Sequence, residues 1–357
     1  MWKILLNEVD FFINISNEIL MNQKNILVTG GAGYVGSVTV HKLIKAGFNV
    51  VVVDNLSQGS VSGHTDSIPK SVPFFMSDIG DFEEMDQIFS SHAISCVVHC
   101  AGYIDVNESV RDPLKYFDNN IGRGIVLLKV MQKHRCNRII FSSTCAVYGT
   151  PQSLPLTESH PTNPINPHGY TKLVMEQMLD QMVRAHGFDC VVLRYFNVCG
   201  AYVDDMADPP RLCGEDHEPE THLIPLAIDA IEKGKSFCVY GTDYDTPDGS
   251  CVRDYVHVED IADAHVMLVG TAWNGMRTYN LGNENGYSVK EIIGLIERVA
   301  GKKLDVCLAA RRAGDPDVLF ADSEKIRAEL GWSPKHSIEQ IVRSAYDWHT
   351  IDQKREI

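Results

Sequence analysis

Apolar residues fall in short unbroken bursts along the first half of the chain, each bounded by glycine or polar residues. "NILVTG" and "FNVVVVDN" come first, and "VPFFMSD", "ISCVVHCAG", "NRIIFSST" and "CVVLRYFNV" follow. Bursts this short, rich in Val and Ile and lacking alternation, predict strands buried on both faces. Between them the spacing turns helical: the stretch after the first glycines carries Val38, Val40, Leu43 and Ile44, and "FEEMDQIFSSH", "GIVLLKVMQKH" and "YTKLVMEQMLDQMVRAH" continue the alternation. Strand and helix in this order predict an α/β chain with a doubly wound parallel sheet.

After Asn197 the texture changes. "AYVDDMADPPRLCGEDHEPETH" is rich in Pro, Asp and Glu, and "YGTDYDTPDGS" is a second turn-forming loop. Helical stretches at Leu223–Lys233, Ser288–Ala300 and Ser323–Leu330 surround these loops. The expected organisation is a sheet domain over 21–198, with part of 253–282 returning to it, and a smaller loop-rich domain over 199–350. Residues 1–20 are apolar, but Glu8 and Asp10 interrupt them, no A-x-A cleavage site follows, and Met21 precedes the first strand. They are expected to be a dispensable extension rather than a signal peptide.

Composition narrows the functional classes. A chain of 357 residues with 44% hydrophobic content can bury a large core. A formal charge of −15 and the lack of any long Lys/Arg run argue against nucleic acid as a partner. No apolar run approaches the roughly 20 residues that span a bilayer. The ten cysteines are scattered, without C-x-x-C pairs or Cys/His clusters at zinc spacing, so no metal is expected. They read as small buried hydrophobes of a reducing cytoplasm rather than as a disulfide framework.

Gly30, Gly33 and Gly36 form G-x-x-G-x-x-G between the first strand and the first helix. The first permits a tight turn, the second a close approach of pyrophosphate to the backbone, the third close helix–strand packing. Asp54 ends the next strand, where an acid can hold the adenosine ribose hydroxyl and repel a 2′-phosphate. The pattern predicts a Rossmann-type site for NAD, in preference to NADP.

These motifs, with "DNLS" (Asp54–Ser57), "SDI" (Ser77–Ile79), "HCAG" (His99–Gly102), "DNN" (Asp118–Asn120), "SSTCAVYG" (Ser142–Gly149) and "NPHGYTK", resemble the extended short-chain dehydrogenase/reductase family. Within it, "RYFNVCGA", "ETHLIP" and above all "YGTDYDTPDGSCVRDYVHV" look like the UDP-galactose (UDP-glucose) 4-epimerases. The resemblance spans residues 24–345. It implies that NAD is held by Gly30, Gly33, Tyr34, Gly36, Asp54, Asn55, Ser57, Asp78, Ile79, Ala101, Asn119, Ser142, Lys172 and Phe196. It implies a UDP-sugar held by Thr144, Asn197, His222, Leu223, Arg253, Arg312 and Leu319. A homodimer formed through the helices around Asn119–Lys133 and Tyr170–His186 is implied as well.

The family's chemistry is a transient oxidation at C4 of the sugar. A tyrosine takes the 4-hydroxyl proton, helped by a lysine four residues later and by a Ser or Thr hydroxyl. Thr144 and Lys172 match those positions, but His168 stands where the tyrosine belongs. Tyr170 is two residues away and should point to the opposite side of the helix. Imidazole can exchange protons, but nearby cations would keep it neutral and weak. It is also shorter than a phenol by about 2 Å, and a misplacement of about 1 Å costs roughly a hundredfold.

The expected activity is therefore interconversion of UDP-galactose and UDP-glucose, attenuated by His168. Two alternatives stand beside it: an epimerase of UDP-N-acetylhexosamines, and a catalytically impaired protein that binds NAD and UDP-sugar. A sugar 4,6-dehydratase is disfavoured, because Cys145 and Ala146 follow Thr144 where those enzymes usually carry Asp-Glu. Leu319 falls where the family varies between bulky Tyr, which excludes N-acetyl groups, and small Cys or Ser.

Overall fold

A computed structural model describes residues 25–58, 68–205, 211–311 and 316–352. Residues 1–20 and Arg312, for which expectations were stated, lie outside the described residues. Seven strands form the main sheet: β1 Asn25–Thr29, β2 Asn49–Asp54, β3 Phe74–Met76, β4 Ile94–His99, β5 Arg138–Thr144, β6 Asp189–Tyr195 and β7 Met276–Leu281. Every pairing is parallel and the order is β7-β6-β5-β4-β1-β2-β3. The doubly wound parallel sheet expected from the apolar bursts is present. Its order reverses between β1 and β4, and a crevice opens at such a reversal outside the carboxyl ends of the strands.

The unbroken apolar character of the strands has its cause in two cores, one on each face. Ile26, Val28, Val50 and Val52 point to one side, where α1 (Tyr34–Lys45) and α6 (Val258–Gly270) supply Val40, Leu43, Ile261 and Leu268. Leu27, Val51, Val53, Val97 and Ile139 point to the other, against Met85 of α2 (Phe82–His92), Leu127 and Met131 of α3 (Arg123–Lys133) and Leu179 of α4 (Pro167–His186). Helix ends follow local sequence. Asp81 caps α2 by accepting from Glu84 N, and Asn166 caps α4 by accepting from Gly169 N. Pro167 fills the first turn of α4, and Gly187 closes it with φ +66°.

Beyond β6 the chain builds a smaller layer. Asn197–Cys199 pairs with Val252–His257, which in turn pairs with Gly286–Ser288 and Val318–Leu319. A third core, including Ile224, Ile228, Ile292, Ile296, Ile341 and Val342, joins α5 (Leu223–Glu232), α7 (Val289–Ala300) and α8 (Ile338–Asp352). The cysteine expectation needs correction here. Cys238 and Cys307 stand opposite each other on the parallel strands Ser236–Tyr240 and Asp305–Ala309 and form a disulfide. Neither is a core residue, and they lie 69 residues apart in sequence, so only the strand register brings them together. The other eight are free thiols, six of them buried.

The turn from β1 into α1 sets how closely the sheet meets its first helix. Gly30 has φ +67°, and a Cβ there would sit 2.6 Å from Ala101 N. A Cβ on Gly36 would lie 2.0 Å from Gly30 O, whereas one on Gly33 would meet nothing nearer than 3.4 Å. Gly36→Ala is therefore expected to destabilise the fold by about 3 kcal/mol, while Gly33→Ala should leave stability nearly unchanged. Urea unfolding of the two variants compares them directly, and equal losses would contradict this packing account.

Candidate active site

A cavity of about 580 Å³ opens at the carboxyl ends of β1, β2, β4, β5 and β6. Gly30, Gly33, Tyr34, Gly36, Asp54, Asn55, Ser57, Asp78, Ile79, Ala101, Asn119, Ser142, Lys172 and Phe196 all line it. The helix α1 begins at this wall with Gly33 as its cap and no side chain bonded to its first amides. A glycine-rich turn ahead of unfilled helix amides suits an anionic pyrophosphate. Asp54 is fixed at the end of β2 by Ala32 N at 3.0 Å and Leu56 N at 2.9 Å. Asp78 accepts from Asn55 Nδ2 and from Gly80 N, and pairs with Arg123 at 2.6 Å. These residues fit a dinucleotide with its adenosine end toward β2.

The other wall is a face of α4. His168, Thr171, Lys172, Met175, Glu176 and Leu179 are buried on it, at helical spacing. Lys172 Nζ donates to Ser142 O at 2.8 Å. Burial pushes its pKa down to about 8, against the opposing pull of Cys100 and Glu176. One turn further on, Glu176 holds Arg194 at 2.6 Å and accepts from Ser143 Oγ. Tyr170 is exposed, with its ring against Phe117, so it points away from the cavity as the helical phase requires.

His168 is only 5% exposed, and its Nδ1 donates to Tyr103 O at 3.2 Å. A carbonyl only accepts, so Nδ1 carries the hydrogen and Nε2 keeps the lone pair. Burial, then the Lys172 ammonium, lowers the imidazole pKa to about 3, with a smaller contribution from His222. The sequence reading missed how Tyr103 is placed. Asn120, in the π-helical turn Phe117–Gly122, accepts from Tyr103 N at 2.8 Å and donates to Tyr103 O and to Thr171 Oγ1, each at 3.1 Å. The "DNN" motif held the signal, but only its first asparagine was read. Thr144 ends β5 on the same cavity wall, its Oγ1 accepting from Ala146 N at 3.2 Å.

Asn197, His222, Arg253 and Leu319 line the far side of the cavity. Asn197 Nδ2 donates to Asp254 O at 3.0 Å, and Leu319 is paired in register with Arg253. Leu223 differs. Its side chain packs against the third core and is not among the cavity-lining residues, so contact with a ligand would fall to its backbone at the start of α5. His222 Nδ1 turns instead to Glu215 at 2.7 Å and Glu220 at 2.9 Å. Burial opposes both charges, but the pairing brings Glu215 down to about 2 and lifts His222 well above its ordinary value. Glu215, His217 and Glu220 escaped the sequence reading. Their signal was the interleaved spacing E-x-H-x-x-E-x-H across Glu215–His222.

The chain is similar to known proteins over most of its length. Residues 26–282 match the NAD dependent epimerase/dehydratase family. A UDP-glucose 4-epimerase of Halalkalibacterium halodurans is 44% identical over 330 residues, 91% of this chain and 95% of the relative. The solved structure of a Bifidobacterium longum UDP-glucose 4-epimerase with NAD+ and UDP superposes with a TM-score of 0.85 at 39% identity, covering 92% of this chain and 99% of that one. A UDP-Glc/GlcNAc 4-epimerase of Campylobacter jejuni gives 0.78 at 38% identity, with the same coverage of both chains.

The depressed His168 titration has a stability consequence. Below about pH 6.5 the unfolded chain binds a proton that the folded imidazole does not take up until about pH 3. The stabilisation from keeping His168 neutral is thus complete above pH 6.5 and is lost as pH falls toward 3. Replacing His168 by Phe should flatten the fall in stability between pH 5.5 and 4 by somewhat under about 1.4 kcal/mol per pH unit. Unfolding curves of both proteins across that range check it, and parallel slopes would mean the imidazole is not held neutral.

Proposed function

The chain belongs to the NAD dependent epimerase/dehydratase family, and on that footing we propose that it interconverts UDP-galactose and UDP-glucose, at a rate limited by His168. The observation that carries the reading is the buried His168–Lys172 face of α4 opposite the glycine turn of α1, both on one cavity. NAD would supply the hydride-accepting and hydride-returning chemistry that inversion at the sugar C4 requires. Gly30, Gly33, Gly36, Asp54 and Asp78 would hold it, with Asn119 and Ser142 along its length.

The protein's own part is binding, orientation and proton traffic. Nε2 of His168 is the available acceptor for the sugar 4-hydroxyl proton, since Nδ1 is committed to Tyr103 O. Thr144 supplies a hydroxyl to bridge to the same sugar oxygen. Lys172 places positive charge beside the reacting atoms, which favours a developing alkoxide but discourages protonation of its imidazole neighbour. Asn197, Arg253 and the backbone at Leu223 are proposed to hold the UDP portion, with guanidinium suited to a diphosphate. Arg312 is proposed for the same task.

A homodimer through α3 and α4 is part of this proposal, supported by exposed Leu114, Ile125 and Tyr170 in and near those helices. Cytoplasmic residence is proposed as well, supported by the eight free thiols. No helix among the described residues is long and apolar enough to cross a membrane.

Two experiments test the reading. The purified protein should release NAD or NADH on denaturation and convert UDP-galactose to UDP-glucose. His168→Tyr should raise kcat by about 10²–10⁴-fold with little change in KM, because the residue acts on the transition state while the nucleotide supplies ground-state binding. A fast His168 enzyme that slows on conversion to tyrosine would overturn the proposed limitation. Separately, Leu319→Tyr should narrow the sugar pocket and lower turnover of UDP-N-acetylglucosamine relative to UDP-galactose. An unchanged ratio would assign Leu319 to packing alone, with Val147, Phe196 and Ala321.

A further inference from the structure

At the edge of the cavity four side chains converge on one point. His217 Nδ1 lies 3.1 Å from Glu215 Oε1 and 3.8 Å from Glu220 Oε2. His222 Nδ1 lies 2.7 Å from the same Glu215 oxygen and 2.9 Å from Glu220 Oε1. One ligand-capable atom from each residue falls within 4.8 Å of all the others. These groups do not pair off. A single Glu215 oxygen receives both imidazoles, and one His222 N–H faces two carboxylates. Two carboxylates and two imidazoles thus share one small volume.

We propose that Glu215, His217, Glu220 and His222 form a binding site for a divalent transition-metal ion such as zinc. Four ligands about 2.1 Å from a tetrahedral ion stand about 3.4 Å apart, and the four separations above scatter around that value. Two imidazole nitrogens and two carboxylate oxygens suit borderline ions, and thiolate is absent from the set. The site is also built outside its ligands. Glu220 Oε1 accepts from Thr221 N at 2.6 Å and His222 N at 2.7 Å, and Trp348 Nε1 donates to the Glu215 carbonyl at 2.9 Å. The His217 ring meets Tyr34 edge-on. An ion here would cross-link the 215–222 segment to itself beside Tyr34 at the start of α1, and would do so by displacing the imidazole Nδ1 protons rather than by entering the sugar chemistry.

The test uses the whole purified protein, dialysed against a chelator and then titrated with Co²⁺ and with Zn²⁺ at pH 7.5. The expected result is one ion per chain, and a cobalt spectrum with tetrahedral d–d bands but no sulfur-to-metal charge transfer. His217→Ala and, as a second and nearly isosteric variant, Glu220→Gln should each weaken uptake by about a hundredfold, while circular dichroism reports that the folds are intact. No stoichiometric uptake would leave a hydrogen-bonded ion-pair cluster and overturn the site. Uptake unchanged in both variants, or a cobalt spectrum showing thiolate ligation, would place the ion elsewhere and overturn it equally.

Discussion

Everything on the α4 wall of the cavity hangs from the burial of one ammonium group. Lys172 is 4% exposed, and its Nζ reaches the Ser142 carbonyl at the end of β5. Taking a cation out of water is costly, and the cost falls when neighbouring dipoles and anions replace the lost hydration. The Ser142 carbonyl and the carboxylate of Glu176, one turn along the same helix, do this. Glu176 is itself tied to Arg194 of β6 and to Ser143 of β5. The helix α4 is therefore riveted to the carboxyl edge of two strands by charge, and its rotation about its own axis is fixed. That rotation decides which residue faces the cavity, and it is why His168 faces inward while Tyr170 does not.

A second constraint runs through the backbone rather than through charge. The π-helical turn Phe117–Gly122 lets two consecutive asparagines act in different directions. Asn119 reaches Arg123, which pairs with Asp78 on the adenosine side. Asn120 pins Tyr103 at both N–H and carbonyl, and that carbonyl holds the His168 ring in one tautomer. One irregular turn thereby couples the two ends of the cavity. His168 is not loose: it sits in a socket that orients it.

The sheet was legible in the sequence because burial on both faces erases polar alternation, and the runs around Val51, Val97 and Ile140 have no other economical explanation. The glycine turn was legible for a similar reason, since Gly36 leaves no room for a side chain. What stayed hidden depended on contacts between distant segments or on atoms rather than residues. The Cys238–Cys307 bridge rests on strand register in a layer without a strong periodic signal. The part played by Asn120 rests on a helix irregularity that no composition announces. Leu223 was read as a ligand contact, yet its side chain answers to the third core.

The net charge of −15 raises a last question, because NAD and UDP-sugar are anions. Long-range attraction cannot serve here, since the net charge of the chain repels both ligands and salt screens any field beyond roughly 8 Å. Affinity has to come from short-range devices inside the cavity, where screening by salt is weak. Two helices begin beside it without side-chain caps, α1 at Gly33 and α5 at His222, each offering unfilled amides and the positive end of a dipole. Lys172 and Arg253 add charge where water is scarce. Under the proposed function most of these groups are suited to phosphates and ribose rather than to the sugar C4. Binding and chemistry are thus built from different parts of the molecule, and a substitution at position 168 can impair the second while sparing the first.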